Sequence, residues 1–400
     1  MTNLSDTPAT RPQIHLQAGR SRRFRSGHPW IFSNEIAMTA EVKALPPGCL
    51  VTIVDAGSER LGVGTFNPHS LIAVRLLSRD PDQAIDQTFL AQRLRSALEL
   101  RQQLYPRPFY RLIHAEADGL PGLVVDRYGD VVAMEANTAG MECLLPSLLD
   151  ALDEVLAPNA VLLKNDSAIR KLEGLDLYDR LAKGELEGPV ELEENGAFFF
   201  ADLATGQKTG WFFDQRDNRA AVAALAKGRS MIDFYSYAGG FAIQAAKAGA
   251  TRVIAVDRSE GSLALAARSA ERNGVIIEPV RAEAFAEMER LTAAGQRFGV
   301  VVADPPAFVK SKKDLAAGAK GYRKMARLAA GLVEPAGFLL VASCSHHMGA
   351  EAFAEEIRHG LSLAGRSARI LRSSGAGADH PVHPFLPESA YLKALLLQLD

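Results

Sequence analysis

From Asp214 to the C-terminus, short apolar runs alternate with segments whose apolar positions recur every three or four residues. The runs at 230–233, 252–257, 275–280, 298–304, 337–342, 368–371 and 391–397 predict strands, with helices between most of them. Strict alternation of strand and helix implies an α/β domain with a mainly parallel sheet covered on both faces. The region from Ile14 to about Ser78 is patterned differently. Short β-rich runs at 50–54, 61–65 and 71–77 are separated by Pro-Pro-Gly and glycine-containing turns, which predicts a small β-domain. Between the two lies a mixed pattern: helical spacing over 88–104 ended by Tyr105-Pro106, strands at 111–115, 123–127 and 131–136, a helix over 142–156 and a strand at 161–165. Tyr128-Gly129-Asp130 joins two of these strands as a hairpin, and Asn195-Gly196 splits 191–194 from 197–202 as another. The expected organisation is a flexible tail over 1–10, a β-rich domain over 11–79, a central α+β domain over 80–195 and an α/β domain over 196–400.

The length of 400 residues suits more than one domain, and 48% apolar with 23% charged residues is ordinary for a soluble globular chain. A net charge of −2 gives no global sign of nucleic-acid binding, so any such claim rests on local patches. Cys49, Cys143 and Cys344 lie far apart with no C-x-x-C spacing, which argues against a disulfide framework and against a thiolate zinc site. The polar N-terminus lacks an apolar signal core and no run reaches the ~20 apolar residues of a membrane span, so the chain reads as cytoplasmic.

Candidate chemistry gathers where predicted strands end. Val300 to Ala303 runs into Asp304-Pro305-Pro306, and proline cannot continue a strand's ladder, so Asp304 is expected at a strand's carboxyl end. A second apolar run ends on Ser343-Cys344-Ser345. In open α/β sheets the ligand crevice lies at that edge. An apolar run that ends in a cysteine usually buries a small core residue; Cys49 and Cys143 read that way. Cys344, between two serines and before His346-His347, reads as functional. Between the two strands Lys310, Lys312, Lys313, Lys320, Arg323, Lys324 and Arg327 place seven basic residues in eighteen beside one acid, Asp314. Phosphate contact and a solvated helix start are both open readings. So too for Arg20, Arg22, Arg23 and Arg25 before Gly27-His28-Pro29-Trp30-Ile31-Phe32: a phosphate-pairing and base-stacking surface, or a solvated face over a core Trp-Ile-Phe.

At the other predicted strand end, Asp233-Phe234-Tyr235-Ser236-Tyr237-Ala238-Gly239-Gly240 forms a small-residue loop before a helix. The full G-x-G-x-x-G of a dinucleotide site is missing. A loop opening on Asp233 without that triplet suits S-adenosylmethionine, which has no pyrophosphate to cradle, and Asp257 suits a ribose diol. The competing reading is a Gly-Gly that only permits tight strand–helix packing. Glu283 either borders an adenine or is an exposed acid at a helix start.

These residues together resemble the RlmI-like class I methyltransferases, which carry an N-terminal PUA domain and include enzymes that make 5-methylcytosine in large-subunit ribosomal RNA. The resemblance runs from about residue 12 to the end, on Gly27–Phe32, Arg111–Glu116, Gly119–Arg127, Lys208–Arg219, Asp304-Pro305-Pro306-Ala307-Phe308, Ser343-Cys344-Ser345, Asp379-His380-Pro381 and Pro387–Lys393. It implies a PUA domain, a central α+β domain and a C-terminal Rossmann-like catalytic domain. It further implies Cys344 as a nucleophile adding to carbon 6 of cytosine and Asp304 as the acid holding the base. The implied cofactor is S-adenosylmethionine, lined by Asp233, Phe234, Tyr235, Gly239, Asp257 and Glu283, with the segment containing Gln215 and Arg219 closing over it. The family pattern has Asp where this chain has Glu283. The implied partner is RNA, held by Pro305, Pro306, Lys310, Lys312, Lys313, Lys320, Arg323, Lys324, Arg22, Arg23 and Arg25, without a metal or a membrane; a homodimer is left open. Three other readings remain: an RNA methyltransferase acting on a base nitrogen, a PUA-type RNA adaptor with a vestigial catalytic domain, and a NAD(P) oxidoreductase disfavoured by the incomplete glycine pattern.

Overall fold

The computed structural model describes residues 10–206 and 209–400. The tail expected over 1–10 lies, but for Thr10, outside the described residues, and so does Lys208. Two compact units emerge. The first runs to Pro189 and adds Asp202–Trp211 and Asp379–Pro387; the second holds Val190–Ala201, Phe212–Ala378 and Glu388–Asp400.

In the first unit, a five-stranded sheet has the order Gln13–His15, Cys49–Val54, Arg60–Phe66, Ile72–Ser78, Trp30–Phe32. It closes over Ile14, Phe24, Ile31, Val51, Ile53, Phe66 and Val74. The arginine-rich opening is a short helix, Ser21–Arg25, that buries Phe24 and exposes Arg22 and Arg25. A second five-stranded sheet has the order Tyr178–Lys183, Ala160–Asn165, Val131–Ala136, Leu123–Tyr128, Phe109–His114. Its core is shared with helices Gln87–Leu104 and Leu145–Leu156. Asp86 starts the longer helix by accepting from the Phe89 N–H at 2.9 Å. The single helix expected over 142–156 is two, Ala139–Cys143 and Leu145–Leu156. Pro146 explains the break, since a residue without an N–H fits only a helix's first turn. Tyr178–Lys183 has no counterpart in the apolar pattern because it is an edge strand with mostly exposed residues.

The second unit contains seven strands in one sheet: β1 (Ser230–Phe234), β2 (Arg252–Asp257), β3 (Glu278–Arg281), β4 (Phe298–Ala303), β5 (Val333–Ser343), β6 (Ala368–Ser374) and β7 (Lys393–Leu399). Their order is β3-β2-β1-β4-β5-β7-β6, and only β7 runs against its neighbours. Because side chains alternate along each strand, two cores form. Ile232, Phe234, Val301, Ala303, Leu339 and Val341 face helices α4 (Ala284–Ala293), α5 (Leu315–Gly331) and α6 (Ala350–Leu363). Met231, Val300, Val302, Phe338 and Leu340 face α1 (Arg216–Ala226), α2 (Gly240–Lys247) and α3 (Glu260–Arg272). The doubly covered, mainly parallel sheet is the expected one. The run at 275–280 yields only the short β3, since Ile276 is 88% exposed and its apolar side chain joins no core. β5 begins earlier than expected because Val333 already pairs with Phe298 across an irregularity in the ladder. No helix of the described residues is long and apolar enough to cross a membrane.

Candidate active site

The strand order brings four carboxyl ends to one edge. Phe234 of β1 is in register with Val256 of β2 and Ala303 of β4, and Ala303 is in register with Val341 of β5. Asp233, Asp257, Asp304 and Cys344 therefore collect at the sheet edge where α/β proteins bind ligands.

Past β1 the backbone takes left-handed values at Tyr235 (φ 62°), Tyr237 (φ 49°) and Gly239 (φ 81°). Glycine adopts this region freely, whereas each tyrosine costs roughly 1–3 kcal/mol, a strain that concentrates at ligand sites. The loop is held in place by Ser236 N–H donating to Val256 O at 3.0 Å and Tyr237 N–H donating to Asp257 Oδ2 at 2.9 Å. Gly240 opens α2 where a Cβ would stand 2.5 Å from Arg219 Nε. Arg219 is itself buried and donates to Glu194 Oε1 at 2.8 Å, the same oxygen that Gln244 reaches at 3.1 Å. The Val190–Glu194 strand is thereby tied to the start of the cofactor-side helix.

Asp233 is 1% exposed. Its Oδ2 accepts from Ser236 Oγ at 2.8 Å and from Ala242 N–H at 3.2 Å, while its Oδ1 is buried without a partner among the described residues. Burial pushes this carboxyl up to about 7; the bond from Ser236 opposes the rise and the negative charge of Asp304 adds to it. A buried acceptor with no donor calls for one from a ligand, and the ammonium group of an amino-acid moiety meets that need. Asp257 is half-buried; its Oδ1 accepts from Ser259 N–H at 2.8 Å, and each carboxylate oxygen keeps acceptor capacity for a hydroxyl. Glu283 is exposed at the start of α4. Burial and the Glu283 charge together push the Tyr235 hydroxyl upward, which puts those two side chains in one neighbourhood. An orphaned acid oxygen and a diol-accepting carboxylate on a strained loop fit S-adenosylmethionine.

The chemical end is organised by a residue to which the sequence assigns no chemistry, Tyr322 of α5. Its buried hydroxyl accepts from Ser343 Oγ at 2.8 Å and shares a 2.8 Å hydrogen bond with Ser345 Oγ. Phe308 N–H points at the same oxygen from 3.4 Å, and Val309 N–H donates to Ser345 Oγ at 3.1 Å. The tyrosine ring packs on Phe308 at 4.8 Å and edge-on to Phe353 at 5.3 Å between centroids. One phenol thus clamps the Ser343-Cys344-Ser345 turn against the loop that follows Asp304-Pro305-Pro306. A signal for Tyr322 exists in the sequence: it continues the apolar face of Met325, Ala326 and Ala329 through a run of lysines. Gln215 completes the acid's support. Its Nε2 donates to Asp304 Oδ2 at 2.8 Å, and its Oε1 accepts from Asn218 Nδ2 at 2.6 Å, whose Oδ1 in turn accepts from Ser374 Oγ at 2.7 Å. That chain orients the amide so that its donor faces the acid.

The basic residues divide into two groups. Arg23 pairs with Glu35 at 2.7 Å and lies over the Phe32 ring; Arg25 bonds Asp55 at 2.6 Å and Glu59 at 2.5 Å. Arg323 pairs with Glu356 at 2.7 Å and Lys324 with Glu289 at 2.9 Å. By contrast Arg22, Lys310, Lys312, Lys313 and Lys320 are exposed and make no ion pair among the described residues. Pro305 is buried and Pro306 exposed beside them. Trp30 is partly engaged: its indole N–H donates to Glu116 at 2.7 Å and Arg75 lies over one face of its ring at 5.4 Å.

Comparison with known proteins agrees with the fold and with the cofactor. The PUA-like domain family matches residues 14–79, and the S-adenosylmethionine-dependent methyltransferase family matches residues 176–398. The ribosomal RNA large subunit methyltransferase I of Cronobacter sakazakii is 35% identical over 388 residues, covering 95% of this chain and 98% of that protein. Its counterpart from Escherichia coli O139:H28 is 34% identical with the same coverage of 95% and 98%. In three dimensions a methyltransferase-like protein from Streptococcus mutans covers 97% of this chain and 100% of its own, with a TM-score of 0.81 at 19% identity, and so shares the fold. A further solved structure, a methyltransferase-like chain complexed with S-adenosylhomocysteine, gives 0.82 at 20% identity with coverage of 97% and 100%. With a PUA-like N-terminal domain, and a methyltransferase domain over more than half its length, the chain belongs to the S-adenosylmethionine-dependent methyltransferase family that includes the ribosomal RNA large subunit methyltransferase I proteins.

Proposed function

We propose that this protein methylates carbon 5 of a cytosine in RNA, and that the RNA is large-subunit ribosomal RNA, the substrate named for its relatives. Such a substrate places its work in the cytoplasm. The observation that carries the reading is the Tyr322 clamp, which holds the cysteine turn beside the Asp-Pro-Pro loop. Carbon 5 of cytosine is too electron-poor to take a methyl group directly. Addition of the Cys344 thiolate to carbon 6 moves the ring's electron pair onto carbon 5. Asp304, held by Gln215, shares a proton with nitrogen 3 of the base, and that proton neutralises the negative charge that thiolate addition places on the ring. Bound S-adenosylmethionine supplies an electrophilic methyl group to carbon 5. Loss of the carbon-5 proton to a base then returns the electron pair and expels Cys344, which restores the thiolate. Asp233 and Asp257 are assigned to the amino-acid and ribose ends of the cofactor, and the exposed Lys310, Lys312, Lys313 and Lys320 to RNA phosphates.

RNA carrying 5-fluorocytosine tests this, because a fluorine at carbon 5 cannot leave as a proton would. Wild-type protein should form a covalent adduct that survives denaturing electrophoresis, and Cys344→Ala should form none. Equal trapping by the alanine variant would dismiss Cys344 as nucleophile. Methyl transfer to a ring or exocyclic nitrogen, found by mass spectrometry of the product, would overturn the choice of atom.

A further inference from the structure

The strand paired with β5, at whose end the cysteine turn lies, carries an unusual residue. β7 opens with Lys393, directly opposite Ser343 at the end of β5, in a run that continues Ala394-Leu395-Leu396-Leu397. Lys393 is only 9% exposed. Its Nζ donates to Ser345 O at 2.6 Å and to Tyr391 O at 2.7 Å. Ser345 follows Cys344 in the chain, so the ammonium is anchored to the nucleophile's own turn. Both anchors are carbonyls, whose dipoles favour the charged lysine without neutralising it. A buried ammonium lacking a counter-charge is costly.

We propose that Lys393 is a positioning residue for the nucleophile, its ammonium serving as the counter-ion that holds Cys344 as a thiolate before RNA binds. The proposal rests on the reading of Cys344 as nucleophile. The proton balance is internal: the hydrogen that leaves Sγ is held on Nζ, so an ion pair replaces a thiol and an amine at constant total charge. When Cys344 adds to carbon 6 its charge passes into the base, and when it is expelled the ion pair is restored. Burial pulls the Lys393 ammonium down to about 8, and the charge of Cys344 acts in the opposite direction. Other groups face the turn. From α5 comes the Tyr322 hydroxyl, itself pushed up by burial. His346 stacks on Tyr391 at 5.3 Å between centroids, and the Tyr391 hydroxyl donates to Asp214 at 2.6 Å. Asp304 follows directly on the adjoining strand, β4. Of these only His346 can carry positive charge, and it is exposed to solvent.

The test follows iodoacetamide alkylation of each cysteine in the full chain without RNA, from about pH 5 to about pH 10, by peptide mass spectrometry. Cys49 and Cys143 serve as internal references, since burial pushes both thiols up, Cys49 to about 11. Cys344 should react with a midpoint well below theirs. Lys393→Met should move that midpoint upward and slow alkylation at neutral pH by ~10-fold, while Lys393→Arg keeps it near wild type. Cofactor binding by calorimetry reads the Asp233–Asp257 side and should hold in both variants. If the Met variant does not fold, the wild-type profile still decides: a Cys344 midpoint equal to that of Cys143 overturns the proposal. An unshifted midpoint in a folded Met variant overturns it as well. So does a methylated adduct that accumulates in that variant with the midpoint unshifted, which would make Lys393 the base for the carbon-5 proton. The fluorocytosine experiment separates the two claims: a low midpoint without trapping removes the cytosine reading and leaves the ion pair, and trapping with an ordinary midpoint does the reverse.

Discussion

Tyr322→Phe removes one oxygen from the centre of the clamp and leaves the ring packing on Phe308 and Phe353 in place. Ser343 Oγ, at 0% exposure, loses the acceptor for its hydrogen, and Phe308 N–H loses its distant one. Ser345 Oγ keeps the bond from Val309 N–H, so that side of the turn stays half-supported. Ser343 Oγ still accepts from Ser345 N–H at 3.3 Å, so the loss is that of one buried donor's acceptor, a cost of about 1–3 kcal/mol. If the turn relaxes to relieve that cost, Cys344 leaves its attacking position. The same energy then appears as a roughly 5- to 150-fold slower adduct formation. The assay is single-turnover trapping on fluorocytosine RNA at saturating cofactor. Cofactor affinity, which depends on the β1 and β2 ends, should be unchanged. A Phe variant that traps at the wild-type rate would refute the clamp as the device that positions Cys344. One that loses cofactor affinity in the same proportion would show a general collapse of the sheet edge.

Asp233 gives a pH prediction. Its folded-state value of about 7 stands above the ordinary 3.8, so folding favours the protonated form. Its contribution to stability is therefore complete below about pH 4 and is lost as pH rises through about 7. Cofactor-free protein should melt at lower temperature across that window, and Asp233→Asn should flatten the decline while weakening cofactor binding; an unaltered slope would assign the effect to other groups. Gln215→Leu strips the amide from Asp304 and should slow methyl transfer by ~10- to 100-fold with cofactor affinity intact. Lost affinity at an unchanged rate would return Gln215 to the cofactor contacts that the sequence implies. Replacing Lys310, Lys312 and Lys313 together by alanine should reduce the salt slope of RNA binding by up to about 2. Arg323→Ala, whose partner is Glu356, should leave that slope alone; equal slopes for all variants would mark the lysines as ordinary surface.

Much of the site edge was legible because strand ends announce themselves. Asp304 precedes two prolines, and a chain with no N–H to offer must leave the ladder there; β4 stops at Ala303. Asp257 closes its strand as the pattern predicts. The same logic overreached at 275–280, where Ile276 looks like core in sequence and sits in solvent. A short apolar run states that side chains are apolar, not that a neighbouring helix exists to cover them. Nor does charge composition show pairing. Arg23, Arg25 and Arg323 contribute to basic clusters in the sequence, yet each meets a carboxylate between twelve and thirty-four residues away. Surface pairs of that kind add little stability, but they decide which cations remain available to a phosphate.

What stayed hidden has a common physical cause. Tyr322 lies amid lysines, and Lys393 opens an apolar strand; in sequence both look like local exceptions. Their meaning lies in hydrogen bonds to residues distant along the chain, Tyr322 to Ser343 and Ser345, and Lys393 to Ser345. Periodicity reports which face of an element is buried, whereas a buried polar group reports only that some partner must exist. The partner becomes identifiable once strand order is known. β5 lies between β4 and β7, so a turn at its end can be gripped from both sides, by α5 following β4 and by the first residue of β7. The Ser343-Cys344-Ser345 turn at that end is therefore held by a phenol on one side and by an ammonium on the other.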